Sequence, residues 1–141
     1  MSFRDITQIA GSAMAAQTVR LNTISSNLAN AHSASGSEEA AYRARKPVFA
    51  TLLGGEDIDG APAVAGRVQV LDVVESTEPL HSVYEPDNPL ADEDGMVFYT
   101  NVNSVAEMTD MMSASRAFET NVEVLGRVKS MQQALLKLGE G

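Results

Sequence analysis

Apolar positions change period twice along this chain. Residues 3–31 contain no proline and one glycine, Gly11. Ile6, Ile9 and Ala13 recur at steps of 3 and 4, and Met14, Leu21, Ile24, Leu28 and Ala31 continue at 7, 3, 4 and 3. That spacing predicts an amphipathic helix whose stripe shifts near Ala13 and Met14. Ser2 followed by Asp5 fits a capping box at its start. At the usual rise per residue it would run roughly 45 Å, long for a small protein.

The middle reads differently. Residues 32–41 are small and polar, a loop. Residues 42–53 read as extended, with Pro47 favouring an edge position. Residues 54–65 hold three glycines, three acids and Pro62, again a loop. Val68, Val70, Leu71, Val73 and Val74 make the clearest strand. Residues 79–89 read as irregular. The Asp-Glu-Asp-Gly run at 92–95 has turn chemistry, and residues 96–100 read as a short strand.

From Asn103 the helical period returns. Met108, Met111, Ser115, Phe118, Val122, Leu125, Lys129, Gln132 and Leu136 fall at steps of 3 and 4. Val105, Met112, Ala114 and Val128 widen the stripe, and Leu135 and Leu138 extend it. Ser104 with Glu107 is a second capping-box candidate, and Gly139 a plausible C-cap. The expected fold is α+β, mainly α, with two long N- and C-terminal helices packed antiparallel as a coiled coil. A small β-rich module lies between them. The expected divisions are 1–35, 36–102 and 103–141, with the first and third forming one helical domain. The antiparallel return follows from reach, because a short module cannot carry the helices far apart.

Two helices cover only part of each other. Stripes this long and wide leave apolar surface over, and buried apolar surface gives about 25 cal/mol per Å². Further copies or relatives would cover it; the alternative is a closed bundle in a monomer. Composition agrees. The chain is 44% apolar but has three Tyr, four Phe and no Trp. Alanine and methionine suit helix contacts better than a thick aromatic core.

Charge narrows the partners. The net charge is −9, which disfavours a general affinity for nucleic acid or an anionic membrane. Residues 32–100 carry four basic and thirteen acidic side chains, whereas both ends are nearly neutral. The ends can therefore approach one another or their copies. No cysteine is present, so there is no disulfide framework or thiolate metal site. No apolar run reaches membrane-spanning length, so no direct membrane insertion is expected. Residues 1–9 lack the features of a cleavable secretory signal, so any export would use a route that needs none.

Candidate chemistry is sparse. His32 and His81 stand apart in expected loop segments, without metal-ligand spacing. Asp87, Asp92, Glu93 and Asp94 lack calcium-loop spacing and read as a solvated turn. Arg43, Arg45 and Lys46 lack interleaved stacking aromatics, so they suit an acidic protein surface better than nucleic acid. No phosphate loop, nucleophile elbow or dinucleotide fingerprint occurs. No catalytic residue, metal ligand or cofactor is expected, and no enzyme.

Several runs carry a resemblance. Gly11-Ser12-Ala13, Arg20-Leu21-Asn22 and Ser25-Ser26-Asn27-Leu28-Ala29-Asn30-Ala31 resemble the N-terminal signature of bacterial flagellar axial proteins. Tyr42-Arg43-Ala44 looks like the motif that follows it in rod and hook proteins. The run Tyr84-Glu85-Pro86-Asp87-Asn88-Pro89-Leu90-Ala91-Asp92 is more specific. So are Met112-Ser113-Ala114-Ser115-Arg116-Ala117-Phe118-Glu119, Asn121-Val122-Glu123-Val124-Leu125 and Val128-Lys129-Ser130-Met131. Together they are similar to the proximal-rod members of that family. One departure is Ala41, where axial proteins often have glycine or another turn former before the tyrosine.

The resemblance implies a structural subunit of the basal-body proximal rod, the drive shaft that carries torque from motor to hook around the export channel. It implies export without a cleavable signal into the periplasm-spanning rod. The implied partners are other copies, related rod subunits and the flagellar export apparatus. The expected subunit-interface residues are Ile6, Ile9, Ala13, Leu21, Ile24, Asn27, Leu28 and Asn30, with Met108, Met111, Phe118, Val122 and Leu125. Asn27 and Asn30 could fix register against a neighbour, as buried asparagine does in coiled coils, or be solvated or end-capping. The alternative reading is a soluble helical adaptor that binds partners through the same faces.

Overall fold

The computed structural model describes residues 2–52 and 66–139. The loop expected at 54–65 lies outside the described residues. Two helices, α1 (Phe3–Ala29) and α2 (Ser104–Gly139), enclose in sequence five strands: β1 (Ala34–Ser35), β2 (Arg45–Leu52), β3 (Arg67–Glu75), β4 (His81–Tyr84) and β5 (Met96–Tyr99). The architecture is mainly α, with a small β module between terminal helices.

Helix α1 begins as its sequence predicts. The Ser2 N–H donates to Asp5 Oδ2 (2.7 Å) and the Asp5 N–H to Ser2 Oγ (3.2 Å), a reciprocal capping box. The Ser2 contacts hold the Asp5 carboxyl below its ordinary pKa, the backbone hydrogen bond most of all. Helix α2 starts differently. Its cap is Asn103, whose Oδ1 accepts from the N–H groups of Val105 and Ala106 (both 3.1 Å). The Ser104–Glu107 pair is therefore not the cap. Asparagine one position earlier already satisfies the first helical donors.

The sheets are small. Strands β1, β5 and β4 form one antiparallel sheet in that order, and β2 and β3 form a separate ribbon. Ala34 pairs with Tyr99, while β4 runs from His81 opposite Tyr99 to Tyr84 opposite Met96. Two expectations are corrected here. Residues 32–41 contain the two-residue strand β1, and residues 79–89 contain β4. A central position buries Val97 of β5 completely.

The β4–β5 connection is a braced loop. Gly95 sits at φ +76°, where a Cβ would lie 2.8 Å from the Tyr84 ring and 3.3 Å from Pro86. Asp92 Oδ1 accepts from the N–H groups of Asp94 (3.0 Å) and Met96 (2.7 Å), the turn expected at 92–95. Gly36 meets the same loop; a Cβ there would stand 2.7 Å from the Leu90 carbonyl oxygen.

The described chain forms two compact units. One takes α1 up to Val19, the outer ribbon from Val48 and up to Asp72, and α2 from Ser113. Its buried side chains are Ala10, Ala16, Ala114 and Val128. There the Ser12 hydroxyl donates to the Ile9 carbonyl (2.8 Å) and accepts the Val68 N–H (3.1 Å), joining ribbon to helix. The other unit takes α1 from Arg20, the ribbon's root, the three-stranded sheet and the start of α2. It buries Thr23, Ile24, Asn27, Ala44, Val97 and Thr100. Arg20 grips Asp110 through Nε (3.2 Å) and a terminal nitrogen, tying α1 to α2.

Val97 is the large apolar side chain that the described structure encloses best. Val97→Ala should lower unfolding free energy by roughly 2 kcal/mol through lost contacts and a cavity. Val105→Ala, at a site 74% exposed, should stay within about 0.5 kcal/mol. Chemical denaturation of both variants checks the contrast.

Candidate assembly interface

Helix α2 carries its large apolar residues outward. Val105, Met108, Met112, Val122, Met131, Leu135, Leu136 and Leu138 are all exposed, from 46% at Val122 to 78% at Leu138. Beyond Val128 every described residue of α2 is exposed. The ribbon adds Phe49, Leu52 and Leu71. A two-stranded ribbon is marginal alone, and part of its apolar surface faces solvent here.

The expected interface residues divide by burial. Met108 (57%) and Val122 are exposed in the chain. Ile6, Ile9, Ala13, Leu21, Leu28, Asn30, Met111, Phe118 and Leu125 are half-buried. Ile24 and Asn27 are enclosed, at 2% and 1% exposure. Asn30 closes the end of α1: its Nδ2 donates to the Ser26 carbonyl (2.8 Å), and its own carbonyl accepts from the Ser33 hydroxyl (2.9 Å).

Asn27 is engaged within the chain. Its Oδ1 accepts from the Arg45 N–H (2.9 Å) and the Tyr42 hydroxyl (2.9 Å), and its Nδ2 donates to the Arg45 carbonyl (2.8 Å). The carboxamide thus pairs with one residue as a neighbouring strand would. Ser26 Oγ lies 3.2 Å from the same Tyr42 hydroxyl. The basic patch is also largely spent internally. Arg43 pairs with Glu38 (3.0 Å) and donates to the Glu78 carbonyl (3.1 Å). Arg45 pairs with Glu75 (3.1 Å) and lies 5.5 Å over the Tyr42 ring. Arg43 and Arg45 thus both have partners within the chain, while Lys46 stays exposed.

In the β4–β5 loop, Glu85 Oε2 accepts from Asn88 Nδ2 (2.7 Å) and the Tyr99 hydroxyl (3.1 Å). The Asn88 Oδ1 in turn accepts the Leu90 N–H (3.0 Å). These polar side chains brace the loop. His32 and His81 are exposed, and among the described residues no group of His, Cys, Asp and Glu could hold a metal ion. No described helix is long and apolar enough to cross a membrane.

Two family descriptions match this chain: Flagella basal body rod protein over residues 8–32, and Flagellar basal body rod FlgEFG protein C-terminal over residues 93–138. The flagellar basal-body rod protein FlgC of Salmonella typhimurium is 49% identical over 141 residues, covering 99% of this chain and 100% of that protein. Its namesake in Yersinia enterocolitica is 42% identical over 142 residues, with 99% and 100% coverage. That of Agrobacterium fabrum is 35% identical over 132 residues, with 93% and 91% coverage.

The chain belongs to the FlgC family of flagellar basal-body rod proteins. It is a structural subunit of the bacterial flagellar basal-body rod, and not an enzyme. The basal body is its place in the cell. The two matched regions of this FlgC-family chain take in most of α1 and of α2. The first includes Ser26, Asn27 and Asn30. The Asn27 partners Tyr42 and Arg45 lie beyond it. Sequence reasoning placed Asn27 and Tyr42 in separate motifs; the fold joins them.

The Tyr99–Glu85 contact gives a titration test. Hydrogen bonding to the Glu85 carboxylate raises the Tyr99 pKa above 10.0. Its contribution to stability is whole below the ordinary tyrosine value and is lost as pH rises through the raised one. Ultraviolet titration should show Tyr99 ionising above 10.0, and Glu85→Gln should bring that midpoint down. An unchanged midpoint in Glu85→Gln would remove the contact as the cause.

Proposed function

We propose that this rod subunit sits in the proximal rod and polymerises through its terminal helices. In this reading α1 and α2 pack antiparallel as a coiled coil, and subunits stack into a tube around the export channel. The tube carries torque from motor to hook. The observation that carries the reading is the row of exposed large apolar residues on α2, from Val105 to Leu138. Large apolar side chains left exposed along so much of one helix are what a neighbouring subunit would cover. The antiparallel pairing is supported by the make-up of the units: the start of α1 groups with the end of α2, and the end of α1 with the start of α2.

The functional divisions are 1–35 and 103–141 as axial helices and 36–102 as the central module. Neighbours are other copies and related rod subunits. Met108, Met111, Phe118, Val122 and Leu125 on α2, with Ile6, Ile9, Ala13, Leu21, Leu28 and Asn30 on α1, form the contact surface. Ile24 and Asn27 serve it from inside, by holding α1 in place. An interface whose rotation does not close yields a helical tube. The subunit reaches the periplasm-spanning rod through the flagellar export apparatus.

A charge on the exposed row tests the reading. Met108 is already 57% exposed, so Met108→Asp should leave the isolated chain's stability within about 0.5 kcal/mol. In a packed tube the same carboxylate would be buried without a partner, at a cost of several kcal/mol. Cells carrying Met108→Asp should contain the protein but lack complete rods and motility. Thr120→Asp, at an exposed polar position, should be much milder. Normal rods and swimming with Met108→Asp would favour the adaptor reading instead.

A further inference from the structure

Ala44 and Arg45, where the chain passes from loop into β2, have all four backbone polar groups engaged, most of them by side chains. The Ala44 N–H donates to Asn101 Oδ1 (2.7 Å), and the Ala44 carbonyl accepts the Ser76 N–H (2.7 Å). The Arg45 N–H and carbonyl both pair with the Asn27 carboxamide. Asn101 Nδ2 also donates to the Glu78 carbonyl (2.9 Å), which the Arg43 guanidinium reaches as well. One asparagine comes from α1 and the other from the segment leading into α2. Asn27 is carried by α1 and Asn101 stands three residues before α2, and Arg20–Asp110 ties those helices together.

We infer that Asn27 and Asn101 form an interlock through which the pairing of α1 with α2 orders the root of the β2–β3 ribbon. The root comprises residues 43–47 and 73–78. When α2 leaves α1, Asn101 is withdrawn. The Ala44 N–H then has no acceptor and the Glu78 carbonyl loses one of its donors. Asn27 still holds the Arg45 backbone and Glu75 its side chain, but the Ala44 peptide has lost its side-chain partner, so the base of the ribbon loosens there. When both helices are seated, the two carboxamides close on consecutive residues and the root has one arrangement. Asn27 and Asn101 are positioning residues, acting on backbone rather than on a partner. The interlock is internal to the chain and stands whether or not the exposed row of α2 is the rod contact.

The test is amide hydrogen exchange, read residue by residue by NMR on the full chain. In the parent chain the Ala44, Arg45 and Ser76 amides should be protected. Asn101→Ala should speed exchange at all three by at least about tenfold. The Val83 and Val97 amides of the β4–β5 pair should change much less. The distinguishing variant is Asp110→Ala, which touches none of the three amides but loosens the helix pair. It should speed the same three, and Asn101→Ala combined with Asp110→Ala should add little to either alone. Asn27→Asp keeps the Oδ1 acceptor and replaces the Nδ2 donor, so it reads the Arg45 arm if Asn27→Ala does not fold. Root amides unmoved by Asp110→Ala, or a uniform rise across β4 and β5 as well, would overturn the interlock.

Discussion

A peptide group that leaves a loop and is not yet in a ladder must find its hydrogen bonds elsewhere, and Ala44 and Arg45 find most of theirs in two asparagine side chains. Much else hangs on that solution. Asn27 must lie on the inner face of α1, which fixes the helix about its axis. Ile24, one turn earlier, is then enclosed. Asn101 must reach back from just before Asn103, the cap of α2, which fixes where the second helix begins. Tyr42 and Arg45 stack over this point, and the Arg45–Glu75 pair closes the base of the ribbon.

The distribution of chemistry follows. Inside this part of the chain, order comes from hydrogen bonds with few good alternatives, since an orphaned buried amide costs more than a made one contributes. Apolar packing within the chain is thin by comparison. The unit holding the far end of α2 buries three alanines and Val128. Small side chains let neighbouring backbones come close but add little hydrophobic stabilisation. The chain therefore keeps much of its large apolar surface outward and specifies its internal geometry with polar contacts.

How much of this the sequence displays depends on range. Period and β-branching are local, so α1, α2 and β3 read directly from spacing. The Ser2–Asp5 box is local too. Asn103 escaped because Ser104 and Glu107 satisfy the capping pattern one residue later, and pattern alone does not rank two adjacent caps. Strand β4, His-Ser-Val-Tyr between Pro79 and Pro89, has no apolar alternation; its partner β5 makes it a strand. A two-residue strand such as β1 has no period at all. The candidate interface is legible in part. Met108 and Val122 stand on the stripe and face solvent, while Ile24 stands on the stripe and is enclosed, and Asn27 beside it is held by residues distant in sequence. Helical spacing marks a face but not what covers it. The Asn27–Tyr42–Arg45 contact is legible only as two motifs whose meeting no spacing rule states.

The outward apolar surface has a quantitative consequence on the proposed reading. Burying one Leu or Met side chain yields about 1.5–3 kcal/mol. Association costs about 4–15 kcal/mol in lost freedom before any gain appears. A subunit offering two or three such residues would fall within that cost and stay dispersed. The α2 residues and the ribbon together offer enough to exceed it if a neighbour covers them. No single residue then needs to dominate. Contact spread over a 36-residue helix also divides a shearing load among many small interdigitated side chains, which a few strong contacts at one point would not do. The internal polar junction matters for the same reason. A load applied along the helices deforms the chain least where the connection between them has one hydrogen-bonded arrangement, and the asparagines at 27 and 101 supply that arrangement where α1, the ribbon root and α2 converge.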